Sequence, residues 1–144
     1  MSGESSSKAV LLDRMQAMMN ASPFIRFFGM MVKSIDLETA MVVLEIKMRP
    51  ELERVPGTGQ WHGGAIAALI DTAGDFAIVL RTNAPVPTIN FRVDYLRPAT
   101  TATLLAIARV RRAGRTVGLV DIDVEDAEGR LVAVGRGCYG TQPG

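Results

Sequence analysis

Two carboxylates one helical turn apart, Asp71 and Asp75, interrupt a stretch from Ala65 to Leu80 in which nearly every other side chain is apolar or small. A helix that is apolar all round is normally buried in a core. An Asp in such a place must be paired, hydrogen-bonded or reached by water, because desolvating its charge is costly. At four-residue spacing the two Cβ atoms lie about 6 Å apart on nearly one face. Each charge opposes the other's ionisation, so at least one pKa is expected to be raised. Perturbed carboxylates of this kind act as bases or nucleophiles at catalytic sites, although structural networks and solvent-facing carboxylates produce the same pattern.

Immediately upstream stand His62, Gly63 and Gly64. The glycines lack Cβ atoms, so a substrate can approach the backbone, and the first N–H groups of a helix point outward with a partial positive charge. That combination can stabilise an oxyanion; its plainer reading is tight helix packing. Nine positions separate His62 from Asp71, between two and three turns. One chain cannot easily bring both ends to one reacting atom, and a second subunit crossing the helix would. His62 is the only histidine and reads either as a general base or as a structural part of the helix start.

The rest of the chain must position these groups. An apolar repeat at Val10, Leu11, Met15, Met18 and Met19 gives a short amphipathic helix that Ser22-Pro23 ends. The polar segment Met1–Lys8 before it is expected to be a disordered tail. Extended segments run from Phe27 to Asp36 and from Thr39 to Met48, followed by a Pro- and Gly-bearing loop from Arg49 to Trp61. After the central helix, four strands are expected: Thr88 to Leu96, Ala102 to Arg112, Thr116 to Glu125 and Leu131 to Gly140. Turns at Ala113-Gly114 and Glu128-Gly129 make consecutive strands antiparallel hairpins. The expected class is α+β, one domain over residues 9–144 with one long helix against an antiparallel sheet of five to six strands.

Composition narrows the function. The 144 residues make one ordinary domain, and 16 basic against 15 acidic side chains argue against a nucleic-acid surface or a polybasic membrane patch. The apolar runs are broken by Asp71, Asp75 or Glu45, so no membrane span is expected. The first residues lack the basic start and apolar core of a secretory leader, so a cytoplasmic location is expected. Cys138 is alone, and one His with one Cys does not furnish a typical zinc site. There is no Gly-x-Ser-x-Gly elbow and no phosphate-binding Gly-x-x-x-x-Gly-Lys-Ser/Thr loop.

His62-Gly63-Gly64 in register with Asp71, followed by Thr88-Ile89-Asn90-Phe91-Arg92-Val93-Asp94-Tyr95-Leu96-Arg97-Pro98-Ala99, resembles the hotdog-fold acyl-CoA thioesterases of the PaaI type. The likeness extends upstream through Ser22-Pro23-Phe24 and Phe28-Gly29-Met30, and downstream through Val110–Thr116 and Asp126–Ala133. It implies a long central helix wrapped by the sheet, and a homodimer, commonly doubled to a homotetramer. It further implies acyl-CoA as substrate, with coenzyme A as part of that substrate and no separate cofactor or metal.

The resemblance implies Asp71 as general base or nucleophile, Gly63 and Gly64 as the carbonyl-polarising backbone, and Thr88 as a hydroxyl that orients water. In the family His62 is mainly structural. The residues expected to bind substrate or coenzyme A are Gln60, Trp61, Asp75, Asn90, Arg111, Arg112 and Arg115, with Asp75 tuning Asp71 or binding substrate. Arg forks suit phosphates, while arginines at a hairpin tip also read as solvated charges. Trp61 and Phe76 line the acyl pocket or fill the core. One departure stands out: where a well-studied branch of the family has Asn six positions before the histidine, this chain has Pro56, and Gln60 could substitute. Two other classes remain, an acyl-CoA-binding module without turnover and, less favoured, a hotdog dehydratase or hydratase.

Overall fold

The computed structural model describes residues 2–142, with side chains from Ser7 onward. Its elements are α1 (Ser2–Ala21), α2 (Pro23–Phe28), β1 (Met31–Asp36), β2 (Met41–Lys47), α3 (Gly63–Thr82), β3 (Thr88–Tyr95), β4 (Thr103–Ala113), β5 (Val117–Asp126) and β6 (Leu131–Gly140). A single 3-10 turn at Pro50–Leu52 sits in the loop before α3.

Two boundaries differ from the sequence expectation. The polar segment expected as a disordered tail is helical from Ser2, with Met1 outside the described residues. Once the apolar repeat nucleates a helix, each added residue gains a hydrogen bond at no new nucleation cost. The expected strand from Phe27 begins only at Met31, because Pro23–Phe28 forms a short helix. Ser22 caps it by accepting the Ile25 N–H, and Gly29 ends it in the left-handed region at φ 67°.

The six strands form one antiparallel sheet in the order β1-β2-β4-β5-β6-β3. Alternate residues of each central strand, such as Leu44, Ala106 and Ile122, are fully buried against the helix layer. The opposite face carries Arg109, Asp121, Asp123 and Arg136. Helix α3 lies across the inner face, giving the hotdog arrangement. By length and composition α3 could cross a membrane. Here Leu69, Ile70, Ala73, Ala77 and Ile78 are fully buried under the sheet. Each large aliphatic side chain so buried contributes about 1.5–3 kcal/mol.

The sheet order decides what reaches the site. Strand β3 follows α3 directly in sequence but pairs only with β6, so it is an edge strand. Its burial is correspondingly slight, with Ile89 55%, Phe91 38% and Tyr95 52% exposed.

Candidate functional site

Helix α3 starts with His62 as its cap. The imidazole Nδ1 accepts the Gly64 N–H at 2.9 Å. That bond places the ring proton on Nε2 and satisfies one of the orphan donors of the first turn. Ala65 N–H bonds the His62 carbonyl at 3.0 Å. The expected pair of glycine amides therefore reduces to one: Gly63 N–H is left as the outward donor, and Gly64 N–H is spent on the cap. The Gly63 carbonyl accepts the Tyr95 hydroxyl at 2.7 Å. A Cβ on Gly63 would sit 3.2 Å from the Tyr95 ring, so a side chain there would need that ring to move by a few tenths of an ångström.

Around Gly63 lies a recess of ≈ 430 Å³ that includes Gln60, Trp61, Tyr95 and the arginines Arg54 and Arg97. Trp61 is 3% exposed, and its indole N–H donates to the Thr101 carbonyl at 2.8 Å, so most of its ring is core. Arg54 and Arg97 are both exposed and form no ion pair among the described residues. Sequence reading left both out of the binding set, although Arg97 lies in the Tyr95-Leu96-Arg97-Pro98 segment that carries the resemblance. Pro56 lies in the exposed loop and lines neither this recess nor the next.

Two turns down α3, Asp71 and Asp75 line a second recess of ≈ 280 Å³ together with Ala68, Thr88 and the apolar side chains Ile25 and Phe91. Asp71 Oδ1 accepts the Thr88 hydroxyl at 2.8 Å. Burial pushes the Asp71 carboxyl above the ordinary carboxylate range, and the Thr88 bond opposes that by favouring the charged form. Asp75 is pushed further, up to about 7, first by burial and then by the charge of Asp71. Its Oδ1 is buried without a hydrogen-bond partner. The expected coupling of the two carboxylates is therefore present, and Asp75 is the more perturbed.

Thr88 reaches Asp71 through an irregularity in β3. The register with β6 shifts between Thr88 and Asn90, so Thr88 opposes Tyr139 and Asn90 opposes Cys138. Residues opposed in an antiparallel pair share a face. Tyr139 is fully buried beneath α3, with its hydroxyl donating to the Asp71 carbonyl at 3.1 Å. Asn90 consequently lies on the outer face, away from the carboxylates of its own chain. The Tyr139 ring sits directly against the backbone of Gly74 and Gly137, where any Cβ would collide with it. Tyr139 was missed in the sequence because its partner on α3 is an absent side chain.

Within one chain Arg111, Arg112 and Arg115, expected to bind coenzyme A, line neither recess. Arg111 points to the outer sheet face, 3.6 Å from Asp121, whose carboxylate Arg136 also holds at 2.6 and 2.9 Å. The Arg136 hydrogen bonds and the nearby Arg111 keep Asp121 below the ordinary range. Arg112 and Arg115 are exposed at the β4–β5 turn and line neither recess. The β4–β5 register shifts between Val110 and Arg112.

The comparisons with known proteins agree with this architecture. Residues 58–133 match the model of the thioesterase superfamily. A Halobacterium salinarum protein named provisionally as an esterase is 47% identical over 94 residues, 58% of this chain and 62% of that protein. The Escherichia coli acyl-coenzyme A thioesterase PaaI is 31% identical over 110 residues, 76% of this chain and 75% of that one. The solved E. coli PaaI structure superposes with a TM-score of 0.80 at 26% identity, covering 96% of each chain. A solved thioesterase-superfamily protein reaches a TM-score of 0.83 at 40% identity, over 90% of this chain and 96% of that one. With the family match over residues 58–133 and a 31% identical acyl-coenzyme A thioesterase among its relatives, the chain belongs to the thioesterase superfamily.

Proposed function

We propose that this chain hydrolyses an acyl-CoA thioester to the free acid and coenzyme A. The observation that carries this reading is Asp71, a half-buried carboxylate held by Thr88 at 2.8 Å and opening into a recess that Ile25 and Phe91 also line. Water bound between Asp71 and Thr88 attacks the thioester carbon, and Asp71 takes its proton. Alternatively Asp71 attacks directly to give a mixed anhydride that water then cleaves. In either case negative charge develops on the carbonyl oxygen, and the Gly63 N–H at the positive end of α3 is the group suited to receive it. Collapse breaks the C–S bond and releases the coenzyme A thiolate. No metal or further cofactor is needed for these steps.

Eight residues separate Gly63 from Asp71, about 12 Å along the helix axis, too far for one thioester group to touch both. A homodimer resolves this. Within one chain β3 spans both recesses: its first residue, Thr88, holds Asp71 and its last, Tyr95, holds Gly63. Pairing this edge strand antiparallel with that of a second copy sets the Thr88 end of one against the Tyr95 end of the other. Gly63 of one subunit then meets Asp71 of its partner. Gln60, Arg54 and Arg97 at the mouth suit the polar and phosphorylated part of coenzyme A, while the side with Ile25 and Phe91 suits the acyl group. We also propose pairing of dimers into a homotetramer and a cytoplasmic location.

The test is thiol release from a panel of short, medium, long and aryl CoA esters by the native protein and by Asp71→Asn. We expect turnover by the native protein and a loss of at least about a hundredfold in the folded variant. One observation favours a second reading, an acyl-CoA-binding module: Pro56 occupies the place of the family's Asn and reaches neither recess. Saturable binding of the same esters without thiol release would establish that reading instead.

A further inference from the structure

We propose that Asp71 and Asp75 share a single proton at neutral pH and that Asp75 carries it, so that Asp71 alone is the ionised base and the acyl recess bears one negative charge. This rests on the reading of Asp71 as the base and adds the residue that sets its protonation state.

The two carboxylates have unequal surroundings. Asp71 has a donor aimed at it, the Thr88 hydroxyl, which favours its charged form. Asp75 has none, and its Oδ1 is buried without a partner. A buried carboxylate oxygen left bare is costly, while a protonated carboxyl has less charge to desolvate. Among the described residues no cation pairs with Asp75. On α3 the only charge that acts on it is that of Asp71. From β6 comes Tyr139, whose phenol is pushed up by burial and by both carboxylates and so stays neutral. Cys138 occupies the opposite face of that strand.

The nearest arginine on β3, Arg92, bonds Asp94, and Arg26 of α2 reaches the Asn20 carbonyl. Arg14 of α1 lies further along, beside Leu80 and Asn83. The inner faces of β2, β4 and β5 are aliphatic or alanine apart from Gly118 and from Asp126, which is tied to Arg130. Two like charges one turn apart with no counter-ion cannot both be held cheaply, and the proton settles on the member without a donor.

The experiment is a carboxyl-carbon NMR titration of 13C-aspartate-labelled native protein, Asp71→Asn and Asp75→Asn, together with the pH profile of kcat/KM for native and Asp75→Asn. We expect a resonance titrating near neutrality in the native protein, absent from Asp75→Asn and moved to lower pH in Asp71→Asn. In the rate profile the native fall on the alkaline side should vanish in Asp75→Asn, whatever that variant's maximal rate. A near-neutral resonance that disappears in Asp71→Asn instead, or titration of both groups below pH 5, overturns the assignment. If Asp75→Asn fails to fold, Asp75→Ser serves in its place. If no ester is turned over, the hydrolase reading fails while the titration still decides where the proton resides.

Discussion

Asp71 and Thr88 form a bond whose loss has a defined sign. The Thr88 hydroxyl favours the ionised carboxylate, so Thr88→Val leaves the burial of Asp71 unopposed and raises its pKa further. The acid limb of the kcat/KM profile should then move to higher pH, and a limb left in place would show that Asp71 is not the base. At the start of the same helix, His62 has a role that stability reads out. His62→Ala removes the acceptor for the Gly64 N–H, and loss of a cap costs about 1 kcal/mol. His62→Asn should recover most of that in urea denaturation, since its shorter carbonyl can accept the same donor. If His62→Ala abolished turnover with unchanged stability, the histidine would have a chemical role beyond capping.

At the scale of elements, the contact between α3 and β6 is what holds Asp71 at its depth. Tyr139 occupies the space that a side chain at position 74 would fill, and its hydroxyl fixes the carbonyl of the turn bearing Asp71. Gly74→Ala therefore forces the helix off the sheet or the ring out of its place, a destabilisation of about 1–3 kcal/mol expected of overpacking. This happens despite the better helix propensity of Ala. Chemical denaturation should show the loss, and Gly74→Ala combined with Tyr139→Phe should not restore it, since the ring carbons collide as well as the hydroxyl.

For the whole molecule, the edge strand β3 is a feature that a lone chain leaves unsatisfied. Its backbone is paired on one side only, while Ile89, Phe91 and Tyr95 are exposed. A lysine on such an edge is how sheets are kept from pairing. Ile89→Lys should shift the protein toward monomer in sedimentation velocity and lower thioester turnover in parallel, with far-ultraviolet dichroism unchanged. A monomeric variant with full activity would show that one chain carries the complete site, against the 12 Å separation estimated from the helix rise.

Much of this was legible from residue types. The apolar run after His62-Gly63-Gly64 requires a buried helix, the two Asp within it require a special environment, and three strands joined by two Gly-bearing turns require an antiparallel sheet, all because burial and turn geometry act over a few residues. The short helix Pro23–Phe28 escaped notice because six residues are too few to show a period, although Ser22 before it and Gly29 after it are its caps and Pro23 opens it. The helical start at Ser2 escaped because propagation from a neighbouring nucleus is invisible in local composition. Register and sheet order were beyond sequence altogether. A shift between Thr88 and Asn90 brings one to Asp71 and turns the other away, and Arg111 is tied to Asp121 across strands. Which of Asp71 and Asp75 has a donor, and whether Gly64 N–H is free, depended on atoms brought together from distant or oppositely directed segments. Local pattern determined that this chain has a buried helix with carboxylates under an antiparallel sheet. Only tertiary structure decided their partners, because a hydrogen bond and a desolvation cost belong to a place in space, and sequence spacing fixes that place only within one element.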